Sequence, residues 1–241
     1  MENREQYYSL EDMIKVKKEI FKITHDVVDK FDDPDKEKKV FTYLYTRLAH
    51  HIDYDSFASS TCELSGYARE RTEEYREKAS NLIGGLIDGK SLCGGYSEIL
   101  RNVLSEVGIE CIYISGISKN NIGEHAWNQV RLDGNWYNVD LTNDRDKIVE
   151  GKECKHFLKS NQEFTRYQKY NVQSPRLEDC TKSVENPEDL LNECKYIAPT
   201  ITPKDIAQAS KGIRLAEIFN IKSLFNKLIT RNKDIDKETS R

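Results

Sequence analysis

Cys93 stands in the run Lys90-Ser91-Leu92-Cys93-Gly94-Gly95-Tyr96-Ser97. His125 follows in Glu-His-Ala-Trp-Asn-Gln-Val-Arg-Leu, residues 124–132, and Asp140 in Asn-Trp-Tyr-Asn-Val-Asp-Leu, residues 135–141. A thiol, an imidazole and a carboxylate together can do nucleophilic chemistry. Cysteine attacks as its thiolate, so its surroundings must lower its pKa. A helix N-terminus and a neighbouring imidazole both do this, and a carboxylate then holds the imidazole in the right tautomer. Each residue alone has a plainer reading: a buried structural cysteine, a satisfied strand histidine, a turn aspartate. The three contexts together favour the chemical one.

The elements that must position these groups are legible in the pattern. After Cys93, the residues Tyr96, Ile99, Leu100, Val103, Leu104 and Val107 recur with the spacing of one buried helix face, and Gly108 marks a stop. Cys93 then falls at or just before the first turn, where unpaired N–H groups and the positive dipole end favour an anion. Gly94 and Gly95 leave room for backbone or substrate to approach the sulfur. Between the His125 and Asp140 segments stands Asp133-Gly134, a strong hairpin signal. A two-residue turn pairs Leu132 with Asn135, Val130 with Tyr137 and Trp127 with Asp140, and sets His125 opposite Thr142. One face then carries His125, Trp127, Gln129, Arg131, Trp136, Asn138 and Asp140. The other, with Ala126, Asn128, Val130, Leu132, Tyr137, Val139 and Leu141, is mostly apolar and belongs on the core. His125 and Asp140 become diagonal neighbours, roughly 7–8 Å apart at the backbone, within reach of a hydrogen bond. A slip of one residue would part them. Trp127 and Trp136 share the His125 face and could wall a cleft, although simple sheet packing explains them equally well.

These three blocks resemble the transglutaminase-like superfamily in its bacterial form, over about Tyr43 to about Tyr170. Upstream, His51-Ile52-Asp53-Tyr54-Asp55 resembles the end of the family's leading helix. Downstream, His156-Phe157-Leu158-Lys159-Ser160 resembles the strand that follows its aspartate. The resemblance implies an α+β, papain-like fold, with N-terminal helices and the nucleophile's helix packed on an antiparallel sheet. It implies Cys93 as nucleophile, His125 as base and Asp140 as orienting acid, acting on amide carbonyls through a thioester. Water as acceptor gives hydrolysis or deamidation; an amine gives a cross-link. The oxyanion donors expected are the Cys93 backbone N–H and one side chain left unplaced. The cleft candidates are Gly94, Gly95, Tyr96, Trp127 and Trp136. Two positions depart from the family pattern: Ser91, where Gly is usual, and Asn143, where Trp is frequent. Neither is expected to touch the triad. The competing readings are a peptide- or protein-binding module on the same fold, which would not need all three residues, and an amine N-acyltransferase, for which no nucleotide-binding feature is evident.

With 241 residues the chain can bury one good core and an appendage. Residues 1–175 are read as the catalytic domain with its N-terminal helices, and 176–241 as a helical C-terminal extension whose last ten or so residues are disordered. The 37 basic and 41 acidic residues leave a net charge of −4, which gives no reason to expect nucleic-acid binding. No apolar run reaches membrane-span length, and the first residues lack a signal-peptide pattern, so a cytoplasmic protein acting on protein or peptide substrates is expected. Six cysteines (Cys62, Cys93, Cys111, Cys154, Cys180, Cys194) show no Cys-x-x-Cys spacing, so neither a metal site nor a cofactor is called for. Helices are expected over 10–31 and from the Asp32-Asp33-Pro34-Asp35 break to His51, with a charged helix over 66–81 and a strand over 110–118. Two short amphipathic helices are expected over 204–230. From residue 203 onward nine Lys or Arg stand against five Asp or Glu, and these helices offer a possible partner contact.

Overall fold

The computed structural model describes residues 9–27, 30–32, 34–62, 64–118, 123–164, 170–174, 176–194 and 196–197. The helices expected over 204–230, and the tail after them, lie outside the described residues.

Helix α1 (Leu10–Thr24) is capped by Ser9, whose hydroxyl accepts from the Asp12 N–H, and buries Val16, Ile20 and Ile23. It stops seven residues before the expected end at residue 31. The Arg47 guanidinium takes the carbonyls of Lys22 and Ile23 at 3.1 and 3.0 Å and pairs with Asp26 at 2.7 Å. A side chain thus satisfies the last-turn carbonyls that a further turn would have used. Arg47 belongs to α2 (Lys36–His51), the central helix, on which Phe41, Leu44, Tyr45 and Leu48 are fully buried. Phe41 and Tyr45 both pack on Phe157, with ring centroids 5.9 and 5.3 Å away.

A short parallel ribbon follows: β1 (Asp53–Tyr54) pairs with β2 (Lys90–Ser91). Between them lie α3 (Ser56–Thr61), α4 (Gly66–Ala79) and α5 (Leu82–Leu86). On α4 the charged run is solvent-facing as expected, and only Ala79 is buried. From β2 the chain passes directly into α6 (Cys93–Glu106), with Cys93 as its first residue. Ile99, Leu100, Val103 and Leu104 are fully buried along one face, as the spacing predicts. Each contributes about 2 kcal/mol by leaving water. Gly108, at φ 81°, ends the helix, and the Ile109 N–H bonds back to the Leu104 carbonyl at 2.9 Å.

The main sheet is antiparallel, with β3 (Cys111–Ser118), β4 (Glu124–Leu132), β5 (Asn135–Val139) and β6 (Tyr170–Val172) in the order β5-β4-β3-β6. The hairpin register matches the expectation: Leu132 faces Asn135 and Val130 faces Tyr137. Asp133 and Gly134 both adopt positive φ, 48° and 79°, as a two-residue turn of this hand requires. Val130, Leu132, Tyr137, Val139 and Leu141 join the core with α2 and α6. The chain then leaves the strand earlier than expected. After Val139 it enters α7 (Leu141–Glu150), so Thr142 lies on a helix and pairs with no strand residue.

The far face of the sheet is covered as well. Gln129 and Asn138 are fully buried there. The Gln129 amide exchanges hydrogen bonds with the backbone of Glu178, at 3.0 and 2.9 Å, and Asn138 donates to Asn161 at 2.9 Å. Buried amides need such partners, and the segment after α7 supplies them. Residues 156–160 do not form the expected strand. Leu158 turns to φ 49°, and only Lys159 bridges to Asn138. Past Asn186, helix α8 (Pro187–Glu193) returns to the central helix and buries Leu191 in the same core.

The turn that carries Cys93 is bolted to the end of α4. The Leu92 N–H and the Ser91 hydroxyl both donate to the Ala79 carbonyl, at 2.7 and 2.8 Å. Gly95 sits hard against them: a Cβ there would meet Ser91 Oγ at 2.0 Å and the carbonyls of Ala79 and Asn81 at 3.0 and 3.1 Å. Gly95→Ala is therefore expected to cost about 1–3 kcal/mol, read as a lowered Tm. Adding Ser91→Gly should recover only part of the loss, because both carbonyls remain.

Candidate active site

Cys93, His125 and Asp140 come together at one end of the sheet. Cys93 is the first residue of α6, so its own N–H is among those a helix cannot satisfy internally. Cys93 is half-buried, and its sulfur hydrogen-bonds with His125. His125, second residue of β4, is buried, and its Nε2 lies 2.8 Å from Asp140 Oδ2. With Nε2 engaged by the carboxylate, Nδ1 is the ring nitrogen that remains for the thiol.

Asp140 is not a strand residue. It caps α7, accepting the Asn143 N–H on Oδ1 at 3.1 Å. The Asn143 side chain donates to Oδ2 at 2.6 Å and lies 3.4 Å from His125 Nε2. Asn143 thus touches two of the three residues, contrary to the expectation that it would touch none. The carboxylate that orients the imidazole is itself held by a helix N-terminus, whose positive end also favours its negative charge. The pattern Asp-Leu-Thr-Asn carries this signal as an N-cap followed by a donor. The alternating run through Leu141 hid it.

Burial opposes charge on the Cys93 sulfur and pushes its pKa up. The hydrogen bond from His125, its charge and the Ala126 N–H outweigh that effect, and the thiol falls below its ordinary value. Burial also favours a neutral His125 ring. The Asp140 carboxylate and the Cys93 sulfur, through hydrogen bonds and charge, reverse this and push His125 up to about 9. Both shifts run in the direction of a thiolate beside an imidazolium. Behind Asp140, a second buried carboxylate, Asp144, accepts from the Tyr45 hydroxyl at 3.2 Å and the His156 N–H at 3.1 Å.

The cleft candidates divide. Gly94 follows Cys93 in the first turn of α6 and is half-buried. Gly95 is buried by the contacts that seat the helix. Tyr96 points the other way: it is almost fully buried and its hydroxyl donates to the Ile52 carbonyl at 2.7 Å. Trp127 stacks on His125, centroids 6.2 Å apart and 16° between planes, and packs on Phe164 behind it. It is fully buried, so it backs the imidazole without lining an open channel. Trp136 faces Arg131, six positions along β4 from His125, about 20 Å away at strand rise, and carries the Arg176 guanidinium over its ring. The structure does not bring it to the site. Three other thiols differ from Cys93 in direction: burial raises Cys111, Cys154 and Cys180. Among the described residues, no cluster of His, Cys, Asp or Glu could hold a metal ion, and no helix is long and apolar enough to cross a membrane.

A helix-borne cysteine packed on an antiparallel sheet, with a histidine and an aspartate at the sheet's end, defines a class. The family model of the transglutaminase-like superfamily matches residues 22–141, and the chain belongs to that superfamily. Its α+β arrangement is the transglutaminase-like, papain-like one. The chain is similar to the kyphoscoliosis peptidases of Mus musculus and Homo sapiens, 28% and 29% identical over 109 residues. Each match covers 41% of this chain and only 14% of the relative. A crystal structure of a TGase superposes with a TM-score of 0.45 at 18% identity, covering 83% of this chain and 56% of that one.

The raised pKa of His125 makes a direct prediction. A base whose pKa is raised keeps its proton to higher pH. Followed by NMR, the His125 ring should titrate near pH 9 in the wild type and at clearly lower pH in Asp140→Asn, which removes the negative partner. An unchanged midpoint would show that the carboxylate does not hold the proton there.

Proposed function

We propose that this chain is a cysteine-dependent enzyme that attacks amide bonds of proteins or peptides through a thioester on Cys93, with water as the acceptor. One observation carries the reading: a single imidazole, 2.8 Å from a buried carboxylate, hydrogen-bonds the thiol at the first position of a helix. Superfamily membership supports the same chemistry.

In this reading the Cys93 thiolate adds to the amide carbonyl, and the carbonyl electron pair moves to oxygen. As the oxyanion collapses, the C–N bond breaks and the imidazolium of His125 gives its proton to the leaving amine. His125, now neutral, takes a proton from the incoming water, which attacks the thioester and releases the acid and the thiolate. Asp140 holds the ring in register and favours its charged form throughout, without itself taking the proton. Asn143 keeps that carboxylate in place.

Two observations support water over an amine. Shielding a thioester from water needs walls over it. The tryptophans that could have supplied them are committed elsewhere, Trp127 under the imidazole and Trp136 on a distant part of the strand. The similar mouse and human proteins are named as peptidases.

Wild type and Cys93→Ala, incubated with a Gln-rich protein and a tagged primary amine and read by mass spectrometry, test the reading. Cleavage or deamidation is expected, reduced roughly a thousandfold or more in Cys93→Ala. Incorporation of the amine would transfer the acceptor assignment to amines. A product that persists in Cys93→Ala, or no product together with a Cys93 no more reactive to iodoacetamide than the other thiols, would overturn the enzyme reading.

A further inference from the structure

The collapse of a tetrahedral intermediate needs donors aimed at the oxyanion. The N–H of Cys93, at the open end of α6, is one; a second is required to match the arrangement's chemistry. We propose that the hydroxyl of Tyr113 is that second oxyanion donor, an assignment that rests on the acyl-transfer reading above.

Tyr113 lies on β3 opposite Asn128 of β4. Asn128 donates to the Ser97 carbonyl of α6 at 3.0 Å, so this face of the sheet lies under the helix that carries Cys93. The Tyr113 hydroxyl reaches the helix's first turn. It lies 3.6 Å from the point where a Cβ on Gly94 would stand, and the charge of Cys93 acts on it. Gly94 keeps the space between the hydroxyl and the open N–H groups clear. The other atoms near that spot belong to Ser80: its Cβ at 3.7 Å and its carbonyl at 3.4 Å, an acceptor that would repel an oxyanion. Among the described residues the Tyr113 hydroxyl has no hydrogen-bond partner, so a substrate oxygen can accept its hydrogen bond without displacing a protein group. Burial foremost, then the neighbouring charges of Cys93, Glu98 and Glu124, push the phenol up to about 12, so it remains a donor while the thiolate forms.

The step is a hydrogen bond and transfers no proton. Sulfur forms a bond to the carbonyl carbon, the carbonyl π pair moves to oxygen, and that oxygen accepts from Tyr113 Oη and from the Cys93 N–H. When the C–N bond breaks, the pair returns to the carbonyl and His125 supplies the proton to nitrogen.

Two reagents that need no specific binding separate this role from a structural one. Iodoacetamide alkylates the thiolate by direct displacement and makes no oxyanion. p-Nitrophenyl acetate acylates the same sulfur through a tetrahedral oxyanion. In Tyr113→Phe, which keeps the half-buried ring, Cys93 alkylation should stay within about twofold of wild type while acylation falls about tenfold or more. An unchanged acylation rate would overturn the assignment. So would a parallel fall in both rates, which would mark Tyr113 as a support for the thiol. If wild-type Cys93 reacts with neither reagent faster than the other thiols, the acyl-transfer reading itself fails, and the assignment with it.

Discussion

The Asp140 carboxylate at the junction of β5 and α7 is the constraint on which the site depends. It ties three parts of the chain at one point: the end of a hairpin strand, the start of a helix and the imidazole of the neighbouring strand. Its Oδ1 accepts the Asn143 N–H, and its Oδ2 accepts from both His125 and the Asn143 amide. A fully buried carboxylate costs several kcal/mol unless such donors replace water. The helix start supplies two of the donors and His125 the third. Satisfying the carboxylate and orienting the imidazole are therefore one requirement, met by one geometry.

The same economy explains why both faces of the sheet are closed. β4 carries polar groups on the His125 side, Gln129 above all, which cannot be buried unpaired. The irregular segment after α7 meets them with backbone and amide groups, at Glu178 and Asn161, where a further regular strand would have offered only a ladder. The left-handed Leu158 breaks that strand and lets Phe157 turn into the aromatic cluster of α2. Covering this side also buries Trp127, which fixes the plane of His125 by stacking on it.

How much was legible in the residues follows from this. The face of α6 and the hairpin register were readable because each rests on local rules: a 3.6-residue spacing with a glycine stop, and an Asp-Gly turn that permits one pairing. The proximity of His125 and Asp140 followed from that register. The cap was not readable as a strand residue's neighbour, because alternation of apolar and polar types persists through Leu141, one residue past the point where the backbone turns. The role of Asn143 went with it. Trp136 was placed on the right face and still far from the site, because a shared face says nothing about position along a strand. Tyr96 shares the periodic face of α6, and that face is the core. Tyr113 could not be found at all without the structure, since its relation to Gly94 depends on how a helix lies across a sheet.

At the sulfur, two opposing effects decide the state of the site. Burial favours a neutral thiol and a neutral ring. An isolated thiol this enclosed would be inert, as the raised Cys111, Cys154 and Cys180 illustrate. Burial also lowers the local dielectric, which strengthens the attraction between a thiolate and an imidazolium once both exist. The pair wins because each charge has an additional partner: the Ala126 N–H for sulfur, Asp140 for the ring. Cys93 is thus set apart from the other cysteines less by its exposure than by the chain of donors that begins at α7 and ends at the first turn of α6.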